Sequence, residues 1–212
     1  MTEEERKNIT QAVQTAKKRI AEAAIASGRK PEDITLVAAT KMNDAERVRA
    51  AIEAGVDVCG ENRVQELLEK YEQHAYDGKP LHFIGTLQTN KVKYLIGKVS
   101  MIESVSSVKL AKVIDKEAAK AGICQDILLE LNIGREESKL GIDPDEIDSV
   151  IQQVAQLEHV HVRGLMAIPP KPQPNQEKTL YFDRMSQLFI DISAKKYDNI
   201  TMDCLSMGMS AD

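Results

Sequence analysis

Short runs of strand-forming residues alternate with amphipathic helical stretches along the chain, and this alternation is its strongest constraint. The runs cover 34–41, 56–60, 81–85, 101–105, 126–132, 160–168 and 201–206. Their starts lie roughly 20 to 40 residues apart with helical periodicity in between, the pattern of parallel strands joined by crossovers. Thr2 and Glu5 fit a capping box before the stripe Ile9, Val13, Ala16, Ile20, Ala24. Asp44 opens a second helix, and Gly55 is a natural stop for it. Helical patterns follow over 63–76, over 90–96, through Val108, Ala111, Ile114 and Ala118, after Asp143-Pro144 with Glu146 closing a box, and through Phe182, Met185, Phe189 and Ile192. A closed barrel of this kind needs eight strands, one more than these runs supply. An open doubly wound sheet would favour G-x-G-x-x-G after a strand, and none occurs. The expected fold is an α/β (β/α)8 TIM-type barrel with an extra N-terminal helix, one domain over 1–212, its last strand–helix unit lying outside this sequence.

Composition narrows the function. Lys+Arg 28 against Asp+Glu 33 gives a net charge of -5, and aromatics make up 4%. Without a basic tail or stacking aromatics, nucleic acid is not an expected partner. No apolar run reaches the roughly 18 residues of a membrane span, and the charged N-terminus has no signal-peptide apolar core. The expectation is a cytoplasmic protein. Cys59, Cys124 and Cys204 are dispersed and lack CxxC spacing, so reduced, buried thiols are expected. His159 and His161 flank the sixth run with no third ligand nearby, so no metal site is expected.

Lys41 carries the chemistry. It ends the first apolar run, Ile-Thr-Leu-Val-Ala-Ala-Thr-Lys (34–41), and so stands at the carboxyl end of the first strand, the face on which barrel enzymes build their sites. A partly desolvated lysine there can lose its proton and form a Schiff base with a carbonyl compound or pyridoxal phosphate. An exposed lysine opening a loop is the competing reading, and spacing alone favours it. Polar clusters also follow the second, third, fifth and seventh runs: Gly60 to Arg63, Gly85 to Lys91, Asn132 to Gly141, and Ser206 to Ser210. Each is an ordinary turn or a set of N–H and hydroxyl groups for a phosphate; their shared face favours an anionic ligand.

Five ordered motifs then become recognisable. Lys41 after Leu-Val-Ala-Ala-Thr, Gly-Glu-Asn-Arg-Val-Gln-Glu (60–66), His-Phe-Ile-Gly-Thr-Leu-Gln-Thr-Asn-Lys (82–91), Arg-Gly-Leu-Met-Ala-Ile (163–168) and Leu-Ser-Met-Gly-Met-Ser-Ala-Asp (205–212) resemble the pyridoxal phosphate homeostasis proteins, relatives of the alanine racemase barrel domain. The resemblance implies a barrel holding pyridoxal 5'-phosphate as an aldimine on Lys41. It implies Asn62 near the cofactor ring, Ser206 and Ser210 at the phosphate, and Met207 lining the ring. The family also draws phosphate contacts and a pyridine-nitrogen arginine from a segment around the eighth strand, which has no counterpart here. The implied role is to buffer or deliver the cofactor without robust catalysis, as a monomer with pyridoxal-dependent apo-enzymes as partners. The alternative is an enzyme using Lys41, either a pyridoxal-dependent amino acid racemase or a cofactor-free Schiff-base aldolase.

Overall fold

The computed structural model describes residues 1–170 and 179–209. The chain divides into two compact units, Met1–Phe83 and Ile84–Asp212. The first contains α1 (Glu3–Ala26), β1 (Val37–Ala39), α2 (Ala45–Glu53), β2 (Val58–Glu61), α3 (Val64–Glu72) and β3 (Leu81–Phe83). Its strands are parallel, with Ala39 opposite Gly60 and Glu61 opposite Phe83. The expected capping box forms: Thr2 accepts from the Glu5 N–H while the Glu5 carboxylate accepts from the Thr2 N–H. Helix α1 buries only Ala24 and packs along α2. Lys17 fixes it there, donating to the Gly55 carbonyl at 2.6 Å and to Asp57 at 2.8 Å. This is the extra N-terminal helix.

The second unit contains a 3-10 helix over Thr89–Tyr94, β4 (Met101–Val105), α4 (Val108–Ala121), β5 (Gln125–Glu130), α5 (Ile147–Val154), β6 (Val160–Ala167), α6 (Leu180–Ser193) and β7 (Ile200–Met207). The order β4-β5-β6-β7 is parallel throughout. Helix α4 is well punctuated: Ser107 caps its start by accepting from the Leu110 N–H, and Gly122 ends it at φ 68°, where a side chain would be strained. Met101, Leu128, Met166 and Cys204, one from each strand, pack together on a single face. Strands β4 and β7 are not neighbours, yet Ser206 Oγ on β7 donates to Glu103 Oε2 on β4 at 2.6 Å. Within this unit the sheet therefore curls about its inner face. All five residues of β4 are buried, as expected of a parallel strand covered on both sides.

Several boundaries differ from expectation for local reasons. The pattern over 63–76 ends as α3 at Glu72, because His74 turns into a positive φ of 54°. The stretch over 90–96 is a 3-10 helix rather than an α-helix. Asp143 caps a 3-10 turn, Pro144–Glu146, by accepting from the Asp145 N–H at 2.9 Å, and α5 begins only at Ile147. Of the cysteines, Cys59 is buried and Cys204 half-buried, but Cys124 is exposed because it sits in the turn before β5. His161 pairs with Asp126 at 3.0 Å, and no metal-holding cluster exists among the described residues. No helix among them is long and apolar enough to cross a membrane.

Candidate functional site

In the first unit, β1 ends at Ala39 and Thr40 remains tied to β2. Its N–H donates to the Gly60 carbonyl at 2.8 Å, and its hydroxyl donates to Glu61 Oε1 at 2.6 Å. Lys41 follows in a turn closed by the Asn43 N–H on the Thr40 carbonyl, and Asn43 Nδ2 also donates to the Lys41 carbonyl. Met42 takes a left-handed φ of 60°, uncommon for a side-chain-bearing residue and held by its surroundings. This turn lifts Lys41 off the sheet. The lysine expected to be partly desolvated is exposed, and its Nζ makes no hydrogen bond or ion pair among the described residues.

Beneath the turn lies a buried charge cluster. Lys70 on α3 is 4% exposed, and Glu61 at the end of β2 is fully buried. Lys70 Nζ donates to Glu61 Oε1 at 2.5 Å, to Glu66 Oε1 at 2.8 Å and to the Thr40 carbonyl at 2.7 Å, so all three of its donors are used. Tyr76 OH adds a third donor to Glu61 Oε1 at 3.2 Å. Burial, then the Glu61 charge, push the Tyr76 phenol up, and the same two causes raise the Cys59 thiol to about 11. Burial lifts the Glu66 carboxyl, but hydrogen bonds from Lys70 and the Met42 N–H bring it below the usual range. Asn62, directly after β2, is half-buried and its Oδ1 is buried without a partner among the described residues. An orphaned acceptor of this kind is costly unless a ligand or water satisfies it.

In the second unit, the inner face ends in polar groups. Two residues beyond Met101 and Leu128 come Glu103 and Glu130, and two beyond Cys204 comes Ser206; this is the alternation of a strand. Ser206 and Met207 are both half-buried at the end of β7, and Ser206 is paired with Glu103. Ser210 lies outside the described residues. Beside these strand ends a cavity of about 560 Å³ is lined by Thr86, Glu130, Asn132, Lys139, Pro169 and Met209, among others. Its outer wall is the 132–141 loop, in which Asn132 both accepts from the Glu136 N–H and donates to the Glu136 carbonyl.

Burial alone raises the Glu130 carboxyl from 4.5 to about 7. The folded state therefore holds this proton where the unfolded chain has lost it, so Glu130 weakens the fold progressively as pH rises from about 4.5 to 7. Glu130→Gln should remove that contribution. Its melting temperature should exceed wild type at pH 8 and converge with it near pH 4, and parallel melting curves across the range would refute the assignment.

Sequence reasoning did not single out Lys70, Glu66, Glu103 or Glu130. The signal for Lys70 was present: it stands three residues after Leu67 on the helix face that should be apolar, and four after Glu66. For Glu103 and Glu130 the signal was a carboxylate inside a strand with no polar alternation.

The comparisons with known proteins define the class first. Residues 6–212 match the family described as alanine racemase, N-terminal domain, so the fold is the α/β barrel of that domain. The pyridoxal phosphate homeostasis protein of Aquifex aeolicus (strain VF5) is 41% identical over 194 residues, spanning 92% of this chain and 84% of that protein. The chain belongs to the pyridoxal phosphate homeostasis protein family. Among solved structures, an unknown protein from Bifidobacterium adolescentis is 34% identical with a TM-score of 0.91, covering 100% of this chain and 90% of that one. PipY of Synechococcus elongatus PCC7942 with PLP bound is 31% identical with a TM-score of 0.75, covering 91% of this chain and 90% of that one.

Proposed function

We propose that this protein binds pyridoxal 5'-phosphate through Lys41 and serves cofactor homeostasis, holding and releasing the cofactor rather than turning over a substrate. The observation that carries this reading is the Lys41 turn: a fixed backbone presenting an amine with no partner among the described residues. The residues fit the group. Lys41 is an accessible primary amine, and the orphaned Asn62 Oδ1 is an acceptor waiting for a donor. In the second unit, Ser206 has its hydroxyl on Glu103 and can turn it to a phosphate oxygen; the family resemblance adds Met207 and Ser210 to the proposed contacts, Ser210 lying outside the described residues. When bound, the cofactor supplies an aldehyde that condenses with an amine and a ring that can act as an electron sink.

The relatives named for pyridoxal phosphate homeostasis and the PLP-bound PipY support this reading over a racemase or an aldolase. The proposal takes residues 1–212 as a single domain, a cytoplasmic monomer whose cofactor passes to pyridoxal-dependent apo-enzymes.

The test is borohydride trapping with peptide mass mapping. The neutral Lys41 amine adds to the aldehyde carbon, the oxygen leaves as water, and borohydride delivers hydride to give a stable secondary amine. Wild type should carry one adduct at Lys41. Lys41→Ala should carry none, with a melting temperature within about 2 °C of wild type, because an exposed side chain contributes little to stability. Labelling spread over surface lysines in both proteins would end the proposal.

A further inference from the structure

We infer that Glu66 and Lys70 are positioning residues for Lys41: together they clamp the backbone on both sides of it and preset the amine for capture of an aldehyde. This rests on the proposed role of Lys41. The residue before Lys41 is held at its carbonyl by Lys70 and at its hydroxyl by Glu61. The residue after it is held at its N–H by Glu66 Oε1 at 2.5 Å. The same Glu66 oxygen accepts from Lys70 at 2.8 Å, so one ion pair on α3 grips Thr40 and Met42 at once. Met42 alone in this turn has a left-handed φ, 60°, and among the described residues its only hydrogen bond to a side chain is the one to Glu66. Release of that N–H removes the restraint opposing the strained backbone. The lysine side chain itself is untouched by the clamp, which is the arrangement a capturing amine needs: fixed root, free tip. A preset geometry lowers the entropy lost when the amine and aldehyde meet.

Glu66 separates positioning from mere stability, because it is half-buried and has a conservative substitute. Glu66→Ala removes both acceptors, whereas Glu66→Gln keeps a carbonyl oxygen where Oε1 stands. Two readouts are taken on full-length protein. The first is hydrogen exchange of the Met42 amide without cofactor; the second is the rate of borohydride-trapped labelling of Lys41 by pyridoxal phosphate. In Glu66→Ala the amide should exchange about tenfold faster. Labelling should slow about tenfold, a modest loss for a displaced reacting group. Glu66→Gln should bring both to within about threefold of wild type. If Glu66→Ala labels at the wild-type rate, or Glu66→Gln is as slow as Glu66→Ala, the positioning role is wrong. If wild type itself is not labelled at Lys41, the cofactor reading fails, and the amide exchange still decides whether the clamp exists.

Discussion

Lys70→Met is expected to cost about 3 to 5 kcal/mol, the largest loss from any single charge in the first unit. The reason lies in what remains. Glu61 is fully buried, with Oε1 served by Lys70, Thr40 and Tyr76 and Oε2 without a partner among the described residues. Removing the ammonium leaves a carboxylate in a low-dielectric interior with only two hydroxyl donors. For a chain of this size the melting temperature should fall by roughly 10 °C or more. The pair need not be a net source of stability, since a well-packed neutral replacement can match a buried ion pair. Glu61→Gln combined with Lys70→Met should therefore recover more than half of the loss, because Gln still accepts from Thr40 and Tyr76 and carries no charge. A double-mutant cycle by urea unfolding measures this. A Lys70→Met protein with wild-type stability would show that Lys70 is not buried against Glu61 as described.

This contrast between two lysines marks how far the sequence could be read. Lys41 was legible because it ends an apolar run at a strand's carboxyl end, and five motifs in order gave the family. Thr2 and Asp44 were legible as helix starts, because caps act through bonds three residues away. Lys70 was not legible, because a lysine on a helix is normally solvated and only the tertiary partners Thr40 and Glu61, 30 and 9 residues away, make burial tolerable. The pairing of Ser206 with Glu103 spans 103 residues of sequence and depends on the curl of the sheet within the second unit, which no local pattern encodes. The shortness of β1, three residues where eight strand-like residues stand in sequence, has the same origin: pairing with β2 decides its length.

Gly164→Ala should be more damaging still, for a purely steric reason. Gly164 lies in β6 at φ 154°, and a Cβ built there would stand 1.8 Å from the Cys204 carbonyl oxygen on β7. No side-chain rotation relieves a clash with backbone. The close approach comes from a register shift: Val162 pairs with Ile200 but Gly164 with Cys204, so β7 carries two extra residues across the interval. Met202 absorbs part of this at a positive φ of 48°, and the bulge is tied down by Arg163, which forks onto Asp203 at 2.8 and 2.7 Å and reaches Asp126 at 2.8 Å. The Arg163 hydrogen bond holds the Asp203 carboxyl below its usual range. Alanine must therefore push β7 away from β6 or break this clamp, at a cost of more than about 4 kcal/mol. That is a large part of the roughly 5 to 15 kcal/mol that holds a typical domain folded. The soluble yield should fall severalfold, and any soluble fraction should unfold at markedly lower urea. Arg163→Met leaves the glycine contact intact and should cost less than Gly164→Ala, so the pair ranks contact against clamp. Soluble Gly164→Ala protein melting within a few degrees of wild type would overturn the register, and with it the placement of Ser206 and Met207 at the end of β7.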